Sequence, residues 1–236
     1  MLALAVALAA AFLVFGARQL TSAASSNYAA NSTGFDISWP QCGGPYPATP
    51  YGFGIVGVTG GKAFTENRCF ASEWHWAASA NAADPSVYFN VNGVPKNYRF
   101  RACAGDAYCT AYFYGYNTAA AAVRYARAQG AQPQTWWLDV ETMNSWSKDK
   151  LLNARVIAGA IDYLQAMDKT AGIYSTPYQW GEIAGYYVPG LPNWSAGADD
   201  LEDAKTRCDD PRYAFGGGRV QLVQWVETYD MNYACP

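Results

Sequence analysis

From Gly34 onward, short apolar runs alternate with stretches of helical period, the pattern of repeated strand–helix units. Five runs read as strands: Phe35–Ser38, Phe53–Val58, Ser86–Val91, Thr135–Glu141 and Ala171–Tyr174. Weaker runs at Asn193–Ala196, Val220–Trp225 and Tyr229–Tyr233 bring the total to eight. Helices are expected over Asn67–Ala82 and Thr110–Gln129, both alanine-rich and stopped by Asp84-Pro85 and Gly130. Another is expected over Ser147–Asp168. Ser147 is suited to the N-cap, and Leu151, Leu152, Ile157, Ile161 and Leu164 recur at roughly helical spacing. A shorter helix follows Pro177, and little helix separates the last three runs.

This order predicts an α/β chain: an irregular TIM-type (β/α) barrel of about eight strands, with helices mainly after the first five. A doubly wound open sheet uses the same alternation, so periodicity alone does not separate the two. In a barrel, the long non-periodic loop Asn92–Cys109 would wall a site on the C-terminal face. Residues 1–26 are expected to form a signal peptide or N-terminal anchor, 27–33 a polar linker, and 34–236 the barrel.

The anchor reading rests on Leu2 to Phe15, an apolar run shorter than the roughly 20 residues of a membrane-spanning helix. Small residues follow, and Ser22-Ala-Ala24 could serve as a cleavage site. No Lys or Arg precedes the run. Either the true start lies upstream, or the segment stays uncleaved and tethers the protein to a membrane through residues 2–15. Both place the protein outside the cell or at its surface.

The six cysteines agree with export, being even in number with none in a C-x-x-C pair. Sequence alone cannot choose their connectivity. Proximity suggests Cys103–Cys109, Cys208–Cys235 and Cys42–Cys69. Metal binding finds little support, because His75 is the only histidine and the thiols lack zinc-site spacing. With Trp74 and Trp76 beside it, His75 reads as a packing residue. A net charge of -3 without a Lys/Arg run argues against nucleic acid. Gly57-Val-Thr-Gly-Gly-Lys62 fails the phosphate-loop spacing, since Val56 stands where the first Gly belongs and Ala63 follows the Lys, so no nucleotide is expected. Neither cofactor nor metal is anticipated, and the protein is expected to be a monomer.

Candidate chemistry centres on Trp136-Trp-Leu-Asp-Val-Glu141. Residues two apart on a strand share a side, so Asp139 and Glu141 face together, their Cβ atoms roughly 6.5 Å apart on a regular strand. Crowding and burial can keep one carboxyl protonated as an acid while its neighbour stays ionised. Cleavage of a glycosidic bond uses that division. An isolated D-x-E is more often a surface ion-pairing motif. Here Asp36 on the first strand and Asp230 on the last would meet it at the mouth of a closed barrel.

In order along residues 34–233, the chain resembles the glycoside hydrolase family 25 lysozymes, muramidases with a (β/α)5(β)3 barrel. The resemblance rests on Gly34-Phe-Asp-Ile-Ser38, Leu138-Asp-Val-Glu141, Gly172-Ile-Tyr-Ser175 and Trp194-Ser-Ala196, with looser matches at Val223-Gln-Trp225 and Asp230-Met-Asn232. It implies Glu141 as the general acid, Asp139 as its orienting or stabilising neighbour, and Asp36 and Asp230 completing the cluster. Tyr174, Trp194 and Trp225 become candidates for stacking on sugars, with Gln224, Asn232, Tyr88 and Asn90 as further substrate contacts. The implied partner is a glycan, peptidoglycan first. The chain departs from the pattern in three places. Gly57-Val-Thr-Gly-Gly61 replaces a charged Lys-Ala-Thr-Glu-Gly, Tyr88-Phe-Asn90 replaces a Tyr-His pair, and Gln224-Trp225 inverts the usual order. These keep open a second reading, a non-catalytic glycan-binding or cell-surface module on the same barrel. A third reading is a structural barrel whose acids form ordinary ion pairs.

Overall fold

All eight apolar runs form strands. The computed structural model describes residues 28–79 and 83–236, so the apolar run at 2–15 and the last residues of the first expected helix lie outside the described part. The strands are β1 (Thr33–Ile37), β2 (Phe53–Gly57), β3 (Ser86–Asn90), β4 (Thr135–Asp139), β5 (Thr170–Ser175), β6 (Asn193–Ala198), β7 (Val220–Val226) and β8 (Asp230–Ala234). They close a barrel in sequence order, which decides the choice between barrel and open sheet. Parallel pairing runs from β1 to β7, whereas β8 is antiparallel to both β7 and β1.

Strand alternation sorts the side chains. On β4, Trp136 and Leu138 face outward into the main hydrophobic cluster beneath the helices, and Trp137 faces inward. Inside, Phe53, Ile55, Trp137, Trp194, Leu222 and Ala234 form a buried apolar floor. Gly172 makes room for it, because a Cβ there would lie 2.3 Å from the Trp137 ring. Tyr28 closes the bottom: it is buried, its hydroxyl accepts from Trp137 Nε1 at 2.9 Å and it pairs with Ser86 Oγ at 2.5 Å. The expected polar linker is thus corrected over residues 28–33. Tyr28 plugs the barrel, and Thr33 already belongs to β1.

The helices are α1 (Phe70–Ala78), α2 (Ala107–Ala128), α3 (Lys150–Ala166), α4 (Pro177–Ile183) and α5 (Leu201–Arg207). The cap of α3 is Asp149, whose carboxylate accepts from Leu151 N and Leu152 N. Ser147 stands two residues earlier, accepting from Asp149 N. The short α5, capped by Asp200, was not expected from the pattern and packs against β6, β7 and β8. Cys42–Cys69, Cys103–Cys109 and Cys208–Cys235 are bonded as proximity suggested. Among the described residues, no helix is long and apolar enough to cross a membrane.

Candidate active site

The C-terminal ends of the parallel strands carry the polar half of the interior. Asp139 ends β4, opposite Asn90 of β3 on one side and Tyr174 of β5 on the other. Because β8 runs the other way, its first residue, Asp230, arrives at the same mouth, directly across from Asp36 on β1. A short turn after Val226, with Glu227 N bonded to Tyr229 O at 3.0 Å, makes that reversal. Three strands therefore deliver acids to one end of the barrel.

Asp36 and Asp139 are each only 4% exposed, while Glu141 and Asp230 are half-buried. Glu141 lies just past the end of β4 rather than within it, which lifts its carboxyl toward the rim. Among the described residues the ion pairs are Lys150–Glu182, Lys205–Glu202, Arg207–Asp203 and Arg212–Asp210. None includes a mouth carboxyl, so the reading of these acids as ordinary ion pairs does not hold.

Neutral amides and hydroxyls do the holding. Asp36 Oδ2 accepts from Gln224 Nε2 at 2.9 Å and from Asn232 Nδ2 at 2.7 Å. Gln224 Oε1 accepts from the Tyr174 hydroxyl at 2.8 Å, and Asn232 Oδ1 from Trp194 Nε1 at 2.7 Å. Asp139 Oδ2 accepts from Asn90 Nδ2, and Asn90 is fixed by Thr59, whose hydroxyl donates to Asn90 Oδ1 at 2.6 Å. The Tyr88 ring lies over Gly57, where a Cβ would come within 2.8 Å of it.

Buried carboxyls without a cation resist ionisation. Burial, then the charge of Asp230, pushes Asp36 up to about 8, against the lowering pull of the Asn232 and Gln224 amides. Asp139 is raised well above the carboxylate range, by burial first and then by Glu141. Burial also raises Glu141, opposed by hydrogen bonds from Asp139 and Gln179, and burial raises Asp230. Each of the four is therefore harder to ionise than a free carboxyl, and the charge of one opposes the ionisation of its neighbours.

Of the predicted substrate contacts, Tyr88, Asn90, Tyr174, Gln224 and Asn232 gather around the acids. Trp194 does not offer a stacking face. It is buried in the floor, with Tyr174 across it at 4.6 Å in an edge arrangement. Trp225 points the other way. Alternation on β7 places it opposite to Gln224, in an outer cluster with Val223, Ala204 and Tyr233. Three site residues escaped the sequence reading. Thr59 and Asn144 support Asn90 and Asp139, and Gln179 of α4 reaches Glu141. The rim also exposes Trp39 (52%) and Met143 (92%) on the connections after β1 and β4, and Tyr178 (74%) in the first turn of α4, after β5. Large apolar side chains directly after strand ends were the available signal. Among the described residues, no group of three His, Cys, Asp or Glu is arranged to hold a metal ion.

The lysozyme-like protein 1 family matches residues 74–197, more than half the sequence and inclusive of Asp139 and Glu141. The chain belongs to this lysozyme-like family. It is 31% identical over 130 residues to lysozyme-like protein 5 of Caenorhabditis elegans, covering 50% of this chain and 57% of that protein. It is 33% identical over 106 residues to the probable GH family 25 lysozyme 4 of Dictyostelium discoideum, covering 44% and 47%. The chain thus spans about half the length of the curated relatives it matches. Its barrel is similar to that of a glycosyl hydrolase 25 of Streptococcus pneumoniae, with a TM-score of 0.54 at 18% identity over 86% of each chain. Asp36 and Asp230 lie outside the family match, and the closed fold is what joins them to the matched D-x-E.

Proposed function

We propose that this lysozyme-like protein is an exported glycoside hydrolase that cleaves peptidoglycan or a related N-acetylated glycan, with Glu141 as general acid. The observation that carries the reading is the placement of Glu141. It is the D-x-E carboxyl that reaches the rim, and burial makes it harder to ionise than a free carboxyl, against the lowering pull of Asp139 and Gln179. A proton passes from Glu141 to the leaving sugar oxygen as the glycosidic bond breaks, and water supplies the hydroxyl that ends on the anomeric carbon and the proton that restores the acid. Asp139 contacts Glu141 on the same side of the cleft, so it orients the acid and cannot stand on the far face of the sugar. That face belongs to Asp230, on the strand half-way round the ring of eight from β4, with Asp36 behind it. There a carboxylate opposes the positive charge that grows on the anomeric centre. Asn90 holds Asp139, Gln224 and Asn232 hold Asp36, and Tyr88 and Tyr174 bound the cleft. Three disulfides and the apolar run at 2–15 support export, cleaved or tethered.

Replacing Glu141 by Gln is expected to lower kcat on solubilised cell wall by about 100-fold or more, with unchanged thermal unfolding and retained binding to insoluble wall. Turnover surviving in Glu141→Gln would sink the assignment. The uncharged Thr59-Gly60-Gly61 stretch favours one alternative, a glycan-binding module. Wild-type protein that binds wall material yet releases no reducing ends from several N-acetylated glycans would establish it.

A further inference from the structure

Beside the acidic mouth lies a cavity of about 500 Å³ that the proposed chemistry does not use. Its walls are the loop after β3 and the starts of α2 and α3, and it is lined by Lys96, Tyr98, Arg99, Phe100, Arg101 and Asn153, among others. The link to the catalytic side is short. Asn144 Nδ2 donates to Asp139 Oδ1 at 3.4 Å, Gly93 N donates to Ser145 O at 2.7 Å, and Ser147 lines the cavity.

Its charge is opposite to that of the mouth. Lys96, Arg99 and Arg101 take part in none of the ion pairs among the described residues. The neighbouring acids are already engaged as helix caps, Asp106 to Tyr108 N and Cys109 N, and Asp149 to Leu151 N and Leu152 N. Arg99 gives Nη1 to Lys96 O and Tyr98 O, which pins its guanidinium against the loop while its other N–H groups stay open. The Cys103–Cys109 bond closes the same segment, and Phe100 stacks on Phe113 at 4.5 Å. Three exposed cations with no ion-pair partner among the described residues thus stand on one braced loop, in a chain of net charge -3, where guanidinium forks suit an oxyanion.

We propose that this cavity binds an oxyanion, carboxylate or phosphate, attached to the glycan strand whose backbone lies in the acidic cleft. The identity of the polymer rests on the hydrolase reading; the anion site itself does not. The mouth repels negative groups and the cavity attracts them, so a strand carrying anionic substituents is held in one register.

The test compares calorimetric affinities of the full protein for a neutral N-acetylated oligosaccharide, the same oligosaccharide bearing carboxylate-rich peptides, and inorganic phosphate. The peptide-bearing glycan is expected to bind about tenfold tighter than the neutral one at low salt. In the Arg99→Gln/Arg101→Gln double variant that ratio should fall to within about twofold, and in Arg99→Lys/Arg101→Lys it should recover in part. Both positions are exposed, and unchanged thermal unfolding confirms folding. Phosphate that binds the wild type and displaces the peptide-bearing glycan assigns the site to phosphate; weak phosphate binding assigns it to carboxylate. A wild-type ratio near one, or a ratio unmoved in the Gln double variant, overturns the proposal. Preference for the charged glycan without any bond cleavage would fail the hydrolase reading and leave the anion site standing.

Discussion

Trp137 and Asp139 leave the same strand on the same side, two residues apart, and enter opposite environments. Below, Trp137 joins Phe53, Ile55 and Trp194 in a dry floor whose indole N–H groups are each satisfied by one partner. Above, Asp139 joins three other carboxyls that have amides and hydroxyls around them and, among the described residues, no ion-pair partner. The floor stabilises the barrel by removing apolar surface from water. The mouth costs stability, since each carboxyl there is harder to ionise than in the unfolded chain. One barrel interior thus divides into a part that holds the fold together and a part that the fold must tolerate.

The largest expected effect breaks the floor. Trp137→Ala removes a fully buried indole, the partner of Tyr28 and a ring packed 5.8 Å from Trp194. A loss of roughly 3–5 kcal/mol is expected, read as a lower denaturant midpoint with the m-value unchanged. A loss below about 1 kcal/mol would mean that the floor is not the stabilising half.

A smaller effect of opposite sign comes from the mouth. The pKa of Asp36 rises from 3.8 to about 8 on folding, so its contribution is fully present below its unfolded value and is lost as pH climbs through about 8. Wild-type Tm should therefore fall between pH 5 and 9. Asp36→Asn keeps the size and one oxygen to accept from Gln224 and Asn232, but has no charge to bury. It should unfold later than wild type at pH 9, by on the order of 1–3 kcal/mol, and with a flatter profile. The remaining slope belongs to Asp139, Glu141, Asp230 and Glu73, which are also raised. An equally steep profile in the variant would show that Asp36 does not carry this cost.

The sequence showed the mouth more readily than its support. Asp36, Asp139 and Asp230 were legible because alternation and strand order alone place them at one end of a closed barrel. The same alternation turns Trp136 outward and Trp137 inward. It did not reach Trp225, because choosing a stacking residue by type ignores the parity that turns it away from Gln224. Trp194 was misread for another reason: parity places it inside but says nothing of depth, and Tyr174 packs across it. Gln179, Thr59 and Asn144 come from connections whose path no period describes. The linker at 28–33 was misjudged because polar neighbours masked Tyr28, a single aromatic whose partners Ser86 and Trp137 are distant in sequence.

The smallest prediction concerns the seam between the two halves. Tyr174 touches both, with its ring against Trp194 below and its hydroxyl donating to Gln224 Oε1 above. That bond fixes which end of the Gln224 amide faces Asp36, and it is the N–H₂ that does so. Tyr174→Phe keeps the ring contact and removes the constraint. Loss of the hydrogen bond should cost about 1 kcal/mol. The more telling readout is the pH profile. Asp36 would lose part of a donor that favours its charged form, so its pKa should rise further, and the fall in Tm, which starts from the unchanged unfolded value, should continue to higher pH than in wild type. A simple downward offset, with the pH midpoint unmoved, would mean that Asn232 alone sets the ionisation of Asp36 and that Tyr174 belongs to the floor.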